Sequence, residues 1–304
     1  MVTQETRQGS REETKPFDIQ VILEIERQRK KVLYFRIACV VAALVGVATV
    51  VFIVGAVILI ADFFFYIFGV KRVARNYAAF YKDYFIRAAL ESVFTELDYQ
   101  PTNSIPERTI RSAEIIERKS NEFSGADYIV GKYKGVDMQF SDVYIKRRKV
   151  RNKKEDVVTD IFKGKWMMFR FNKDFNVKLQ LRGQDSFEYS EILLDQWQEI
   201  EMEDMQFNKE FEIQTTDPHE TYYILTPHMM ERIKRVSAAN KGKTSMCFMH
   251  GWLYVLVKSS KKTFEVPFYK KIDAEFVDKK LYNNIHTITN VIDELQIDKN
   301  IFKN

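Results

Sequence analysis

The stretch IACVVAALVGVATVVFIVGAVILIADFFFYIFGV, from Ile37 to Val70, decides how this chain is organised. It is thirty-four residues long and apolar throughout except for Asp62. Basic residues flank it on both sides: Arg27, Arg29, Lys30 and Lys31 before it, and Lys71, Arg72 and Arg75 after it. An uncharged run of about 18 residues or more is typical of a transmembrane helix. We therefore expect this segment to lie in a lipid bilayer.

The run is long for a single crossing. As one helix it would extend about 51 Å, at a rise of about 1.5 Å per residue, whereas the hydrocarbon core of a bilayer is about 30 Å thick. One solution is a single crossing by Ile37–Ala61, with Asp62 at the interface. The other is a hairpin of two short arms that extends back to Leu33. Length alone leaves both solutions open.

Flanking charge and turn chemistry favour opposite solutions. Basic residues at both ends favour a cytoplasmic location for both ends, and therefore a hairpin. However, the midpoint around Phe52–Gly55 contains no polar turn, and a hairpin would place Asp62 well inside the bilayer at a cost of about 2.5–3.5 kcal/mol. By these arguments the two solutions are nearly balanced, and Asp62 is the residue on which the choice depends.

Asp62 is also a candidate functional residue, because charged side chains inside a membrane are rare and commonly mark functional sites. The simpler interpretation is a carboxylate at the interface, at the end of a single span, or one beside water at a helix end. We favour this simpler interpretation for Asp62.

The chain divides by composition into four segments. Residues 1–31 read as a polar cytoplasmic tail with a lead-in helix, and residues 32–70 as the transmembrane segment. Residues 71–120 read as juxtamembrane helices, because apolar and aromatic residues follow a helical spacing up to about Leu97. After the prolines, Ser104 and Glu107 have capping-box spacing, which predicts a short helix to about Arg118. Residues 121–304 then form a soluble α+β domain.

Short runs rich in aromatic and β-branched residues predict strands in that domain. These runs are residues 128–133, 138–145, 165–171, 177–181 and 222–225. Residues 246–249 and 253–257 flank His250-Gly251 and predict a β-hairpin. Helices are predicted from Thr226-Pro227 to Val236 and from about residue 274 to 295. The predicted fold class is α+β: an N-terminal transmembrane helical segment followed by a mainly antiparallel sheet with flanking helices.

Composition argues against several classes of function. The formal net charge of +5 is modest, which makes nucleic acid an unlikely partner and fits attraction to anionic lipid better. Cys39 and Cys247 are isolated, so neither a disulfide framework nor a zinc site is expected. We predict no metal and no cofactor, and therefore no residues that bind them.

Three local patterns resemble catalytic or binding motifs without meeting their requirements. The sequence Gly242-Lys243-Thr244 lacks the earlier glycine of a phosphate-binding loop, and a helix leads into it rather than a strand. Asp217, His219 and His228 lack metal-ligand spacing. Ser141-Asp142 has no nucleophile-elbow glycines around it. We therefore predict no catalytic residues.

The strongest charge signal beyond the membrane segment is a basic run between two predicted strands. Its members are Lys146, Arg147, Arg148, Lys149, Arg151, Lys153 and Lys154. Each Lys or Arg near an anionic membrane surface contributes about 1 kcal/mol of attraction, so the run is a candidate lipid contact. A solvated hairpin loop explains the same run. Nucleic acid is the weakest explanation, because no aromatic residues interleave the charges for base stacking.

Several short stretches, in this order, resemble a known family. They are Gly125-Ala126-Asp127-Tyr128, Phe140-Ser141-Asp142-Val143, Ile161-Phe162-Lys163-Gly164, Phe171-Asn172-Lys173-Asp174-Phe175, and Tyr223-Ile224-Leu225-Thr226-Pro227 with Met230-Glu231. The chain resembles the bacterial membrane family catalogued as domain of unknown function 3137, roughly from Lys71 to the C-terminus together with the preceding membrane segment.

The resemblance implies an anchored protein with two spans and a large soluble C-terminal domain. Some family members are encoded beside LemA-type membrane proteins, which implies a LemA-type partner. The family has no established activity, so it transfers no functional residues. This chain departs from it in lacking a Pro or polar turn between the spans. Together with the flanking charge, the resemblance favours the hairpin.

The sequence therefore predicts a multi-pass protein of the inner (cytoplasmic) membrane, with the lipid bilayer as its surroundings and a cytoplasmic domain. The expected function is a membrane-anchored binding or scaffold module. The alternative is an enzyme that acts on a lipid or cell-envelope substrate, with a site that no motif reveals. The absence of a catalytic motif favours the binding module.

Overall fold

The computed structural model describes residues 19–48, 53–115, 121–150, 156–171, 177–183, 197–241, 243–270, 272, 276 and 281–298. Backbone contacts divide the chain into two compact units. Unit 1 comprises residues 1–80 and 268–273, and unit 2 comprises residues 81–267 and 274–304.

Unit 1 is built on a helix of 30 residues and an apolar helix of 13 residues. Helix α1 spans Ile19–Ala48 and α2 spans Ile53–Phe65; a π-helical turn, Tyr66–Val70, and α3, Lys71–Phe80, follow. The rings of Phe35 and Phe65 lie 5.6 Å apart, and Gly46 lies against Leu59 near the other end of the pair. A Cβ atom at Gly46 would lie 2.7 Å from Leu59 Cδ2, so a larger residue there would displace the Leu59 side chain. Helices α1 and α2 are therefore antiparallel, a helical hairpin.

The outer surface of this hairpin is apolar. Helix residues Gln20–Ala48 are long and apolar enough to cross a membrane, with a mean hydropathy of 2.0 in the most apolar window, of which 17% is buried. Large side chains that point outward include Tyr34, Val40, Leu44, Val47, Val57, Ile60, Phe63 and Phe68. A contiguous apolar surface of this kind marks a contact with membrane or protein. One helix thus fits a membrane span by length and composition, and a second crossing stays a prediction.

A segment from late in the chain, Phe268–Asp273, also belongs to unit 1. The Arg36 guanidinium lies 4.4 Å from the centre of the Phe268 ring and donates a hydrogen bond of 2.5 Å to Tyr269 Oη. Tyr77 on α3 packs against the same Phe268 ring at 5.5 Å. The amide of Ile272 donates to Glu26 Oε1 at 2.6 Å. The charged Arg36 side chain is therefore covered by aromatic faces and a phenol oxygen.

Unit 2 is a mainly antiparallel sheet with helices, which confirms the predicted α+β class. Its described strands form a nine-stranded sheet in the order β1-β2-β3-β4-β9-β8-β5-β7-β6. The strands are β1 Thr95–Gln100, β2 Glu122–Tyr133, β3 Val136–Val150, β4 Asp156–Arg170, β5 Leu179–Gly183, β6 Gln198–Ile200, β7 Phe211–Thr215, β8 Thr244–Met249 and β9 Trp252–Lys258. A π-helical turn, Tyr81–Ile86, and five helices accompany them: α4 Arg87–Glu91, α5 Glu107–Ser112, α6 Met205–Glu210, α7 Pro218–Ile224 and α8 Pro227–Ala239. A further helix, α9, spans Asn283–Leu295.

Apolar side chains on both faces of the central strands are buried. One cluster joins Val143, Trp166 and Leu256 to Ile110 on α5. Because successive side chains of a strand point to opposite faces, Phe140 lies on the other face from Val143, and there it contacts the ring of Phe264. The central strands therefore have apolar side chains packed against both of their faces.

The helix at Pro227 and the hairpin at His250-Gly251 confirm two predictions from turn and cap chemistry. Thr226 accepts a hydrogen bond from the amide of Met229 and caps α8. His250 and Gly251 have positive φ angles of 51° and 70°, as a two-residue hairpin turn requires.

Several element predictions are wrong. Residues 222–225 were expected to form a strand, yet they lie in and just after α7, because Asp217 caps this helix and Pro218 occupies its first turn. The juxtamembrane helix ends at Glu91 rather than near Leu97, since β1 begins at Thr95. Ser104 caps no helix: α5 starts after Pro106, which has no side-chain cap, and ends at Ser112. Strands β1, β6 and β7 were not predicted.

Candidate functional site

A cavity of about 260 Å³ lies over the middle of β3 and β4 and the first half of β2, beside the chain that leaves β9. Asp142 lies in its wall, together with Val143 and Ala126. The polar side chains around it are Ser124, Tyr144, Lys163, Ser259, Lys261 and Lys262. This concave site carries polar side chains from several elements.

The register of the sheet places these residues together. Ser124, Tyr144 and Lys163 form one row across β2, β3 and β4, and Ala126, Asp142 and Lys165 form a second row. Between the rows, Gly125 and Gly164 stand on either side of Val143. A Cβ atom at Gly164 would overlap the carbonyl oxygen of Val257. Glycine is therefore required where β4 and β9 approach each other beside the cavity.

Asp142 is buried, with 7% of its surface exposed. Its Oδ2 atom accepts a hydrogen bond of 2.6 Å from the Thr263 amide, and its Oδ1 atom accepts one of 2.7 Å from the Thr263 hydroxyl. Burial raises the pKa of Asp142 to about 6; the two hydrogen bonds from Thr263 and the charge of Lys165 oppose this rise. Asp142 therefore titrates close to neutral pH.

Lys165 stands directly opposite Asp142 on β4. Burial lowers the pKa of Lys165, and the negative charge of Asp142 opposes that change. The innermost row of the site therefore sets a carboxyl group and an amine directly opposite each other.

A second buried carboxylate, Asp127, lies beside this row at a bulge between Ala126 and Ile129 in β2. Its Oδ1 atom accepts a hydrogen bond from Tyr99 Oη at 2.7 Å and lies 2.6 Å from Lys82 Nζ. Asp127 has a positive φ of 60°, a conformation that a non-glycine residue adopts only where the surroundings hold it. Burial, and then the charge of Asp127, raise the pKa of Tyr99. The hydrogen bond and the ion pair of Asp127 therefore connect β2 to β1 and to the π-helical turn that contains Lys82.

The outer part of the cavity is cationic. Lys163, Lys261 and Lys262 are exposed, and none of them forms an ion pair within the described part of the chain. Lys163 and Lys146 lie 5.4 Å and 4.3 Å from the centre of the Tyr144 ring. Tyr144 donates a hydrogen bond of 2.6 Å to Asp160. Three exposed lysines thus line an opening whose inner row sets Asp142 opposite Lys165.

The predicted basic run begins inside β3 rather than in a loop. Lys146 lies against Tyr144, and Arg148 forms an ion pair of 2.6 Å with Glu122. The backbone of Arg148 also exchanges hydrogen bonds with the side chain of Asn121. The side chain of Lys149 and the residues Arg151, Lys153 and Lys154 lie outside the described residues. The lipid contact of this run therefore stays a prediction.

Asp62 lies in α2, half-buried against α1, and its carboxylate is close to the thiol of Cys39. Cys39 itself is only 6% exposed. The charged side chain therefore faces the partner helix of the hairpin. Its role as an intramembrane or interfacial charge remains a prediction.

Two residues of the rejected sequence patterns have structural roles. Asp217 caps α7, and the Ser141 hydroxyl donates to the carbonyl oxygen of Ala126 at 3.1 Å. Among the described residues, no group of three or more His, Cys, Asp or Glu side chains could hold a metal ion. Sequence reasoning missed the cavity. The predicted strand at residues 138–145 contains Asp142, but nothing in the sequence indicated that Lys261 and Lys262, about 120 residues further along the chain, would line the same cavity.

Comparison with known proteins confirms part of the resemblance. Residues 160–297 match the profile of a family described as "Protein of unknown function (DUF3137)". The stretches at 125–128 and 140–143 lie outside this match. None of the curated proteins matches the chain.

One solved structure is similar over much of the chain. It is described as "crystal structure of the mycobacterial trehalose monomycolate transport factor A, TtfA", with 10% sequence identity and a TM-score of 0.36. The similarity covers 66% of this chain and 88% of that chain. A TM-score this low carries no argument about fold or function.

Proposed function

We propose that this chain is a membrane-anchored binding module, in which the α1–α2 hairpin lies in the inner membrane and the sheet domain faces the cytoplasm. The observation that carries the proposal is the antiparallel hairpin with large apolar side chains on its outer surface. Residues 32–48 and 53–70 would extend about 26 Å and 27 Å as helices, close to the hydrocarbon thickness of about 30 Å. Two crossings then place both basic flanks on one side, as the positive-inside rule favours.

Reporter fusions test this topology in cells. An alkaline phosphatase that is active only outside the cytoplasm is fused after Ala48 in one protein and after Asn304 in another. We expect activity after Ala48, because one crossing precedes it, and none after Asn304. A fluorescent protein that folds in the cytoplasm should give the reverse result. Strong phosphatase activity after Asn304 would contradict both the second crossing and the cytoplasmic domain.

A binding role agrees with the site better than catalysis does. Both carboxylate oxygens of Asp142 already accept hydrogen bonds from Thr263, which holds the side chain in place rather than presenting it to a substrate. We propose another membrane protein as a partner, of the LemA type that the family resemblance implies. Affinity capture of the full chain from detergent-solubilised membranes tests this part. Recovery of the chain with no membrane protein enriched over an untagged control would contradict it.

The alternative is an enzyme that acts on a lipid or cell-envelope substrate. One observation favours it: a buried carboxylate with a pKa of about 6 in a cavity wall suits general acid–base catalysis. The two functions predict different effects of Asp142→Asn. A binding module has no turnover, so this variant should only keep its ligand. An enzyme should also keep its ligand in this variant, but its turnover should be lost.

A further inference from the structure

The cavity beside Asp142 is a preformed site for a small anion. Its outer part carries three ammonium groups, from Lys163, Lys261 and Lys262. None of the three has an ion-pair partner among the residues that the structure describes. Surface lysines can be solvated anywhere, but here all three border one concavity. Low-dielectric walls around a concave site strengthen its attraction for charge of the opposite sign.

The segment that carries two of these lysines is fixed at both ends. Ser259 Oγ accepts a hydrogen bond from the Lys261 amide at 3.2 Å and donates one to the Lys261 carbonyl at 2.9 Å. Thr263 is held by Asp142, and its carbonyl oxygen accepts a hydrogen bond from Asn284. The backbone at positions 261 and 262 is therefore ordered before a ligand arrives. A preformed site loses less entropy on binding than a flexible one.

The charge of the inner wall does not cancel that of the lysines. Asp142 is the negative group in the lining, and it stands opposite Lys165. The next buried carboxylate, Asp127, is paired with Lys82 at 2.6 Å. Because each of these carboxylates stands opposite a lysine or pairs with one, the three exposed lysines of the lining keep their positive charge for a ligand.

The size of the cavity limits the ligand. A volume of about 260 Å³ lies just below the range of about 300–1,000 Å³ that is typical of small-molecule sites. The site is large enough for a phosphate with a short attached group, but it does not enclose a large cofactor.

We propose that this cavity binds a phosphate-class anion through Lys163, Lys261 and Lys262. The anion is either a small free phosphate compound or the headgroup of an anionic lipid, since both present the same oxygens. This proposal adds a ligand class to the proposed binding module. It is tested by ligand titration, so its failure is distinct from a failure of the topology in the reporter fusions.

Titration of the full chain in detergent micelles with inorganic phosphate and with sulfate, at constant ionic strength, tests the site. The test variant replaces Lys163, Lys261 and Lys262 with Gln. We expect binding about tenfold weaker or lost, because each exposed charge contributes modestly and three are removed. The matched control replaces Lys209, Lys241 and Lys243, three exposed lysines outside the cavity, with Gln, so that net charge falls equally.

The control variant should bind within about twofold of the natural chain. Circular dichroism and the melting temperature show whether both variants fold. The proposal is overturned if the natural chain binds neither anion, or if both triple variants lose affinity equally.

Asp142→Asn gives a second, independent readout. Sulfate keeps its charge between pH 5 and 7.5, so a change in its affinity reports on the protein. We expect the variant to bind sulfate more tightly than the natural chain at pH 7.5 and about equally at pH 5, since removal of a nearby negative charge favours an anion. The charged groups that face Asp142 are Lys165 and Asp127, with Lys163, Lys261 and Lys262 around the opening. Weaker sulfate binding by the variant would overturn the assignment of an anion.

Reconstitution separates the two sources of the anion. The full chain is placed in nanodiscs of phosphatidylcholine alone, or with about one phosphatidic acid in five lipids, and titrated with glycerol 3-phosphate. A lipid headgroup in the cavity would compete with glycerol 3-phosphate. The apparent affinity for glycerol 3-phosphate would then be weaker in the discs that contain phosphatidic acid, and this difference would require the three cavity lysines. Equal affinity in both discs would support a free phosphate compound as the ligand.

Discussion

Asp142 shows how one buried side chain connects the stability of the domain to pH. Burial raises the pKa of this carboxyl to about 6 in the folded state, above its usual value of 3.8. The folded state therefore holds the proton more tightly than the unfolded chain does. The stabilising contribution is fully present below about pH 3.8 and is lost as the pH rises through about 6.

Asp142→Asn should remove this dependence. Asparagine cannot ionise, yet its amide can still accept from one donor of Thr263 and donate to the hydroxyl. Relative to the natural chain, we expect the free energy of unfolding of the variant to increase by up to about 3 kcal/mol between pH 4 and 7.5. Denaturant titrations of the full chain in detergent, at several pH values, measure this difference. A difference that does not change with pH would contradict the assigned burial of the carboxylate.

At the scale of elements, the hairpin of α1 and α2 makes the most specific claim about packing. Cys39 and Asp62 face each other across the pair. Asp62→Cys should therefore form a disulfide with the native Cys39 when membranes that contain the full chain are treated with a mild oxidant. The shift of the band on a non-reducing gel, or loss of free thiol by mass spectrometry, measures the reaction.

Two variants control this cross-link. Val57→Cys places a thiol on the exposed surface of α2 and should not react with Cys39, since Val57 is 61% exposed. Gly46→Leu, combined with Asp62→Cys, should slow the reaction, because a side chain at position 46 collides with Leu59. Equal cross-linking at positions 57 and 62 would contradict the antiparallel packing.

Some helices and strands could be predicted from the sequence, whereas one helix and the cavity could not. Turn and cap chemistry is local, so Thr226-Pro227 and His250-Gly251 were sufficient to predict α8 and the β8–β9 hairpin. At residues 222–225 the strand propensity of tyrosine and isoleucine was overridden by the cap at Asp217. The cavity could not be predicted, because its lysines come from β4 and from a distant turn whose register only the folded sheet defines.

For the whole molecule, the return of Phe268–Asp273 to unit 1 joins two distant parts of the sequence. Replacing Phe268 with Ala should weaken this segment, since the ring contacts both the Arg36 guanidinium and Tyr77. The Ile272 amide, which donates to Glu26, should then exchange its hydrogen for deuterium faster by about tenfold or more. Hydrogen–deuterium exchange of the full chain, read by mass spectrometry over this segment, measures the effect.

Tyr222→Ala is the matched control, because Tyr222 is an aromatic residue of α7 that is 52% exposed. It should leave exchange at Ile272 unchanged. Unchanged exchange in the Phe268→Ala variant as well would mean that this segment is held by other contacts.

This connection determines where the chain can be cut. A fragment that starts at residue 81 to avoid the apolar helices would still carry Phe268 and Ile272, whose partners Arg36, Tyr77 and Glu26 would be missing. Ile272 is only 1% exposed in the intact chain. We expect such a fragment to expose these apolar side chains and to associate with itself, even though it keeps all the described strands of the sheet. Recombinant fragments of this protein should keep residues 19–80, or carry polar substitutions at Phe268 and Ile272.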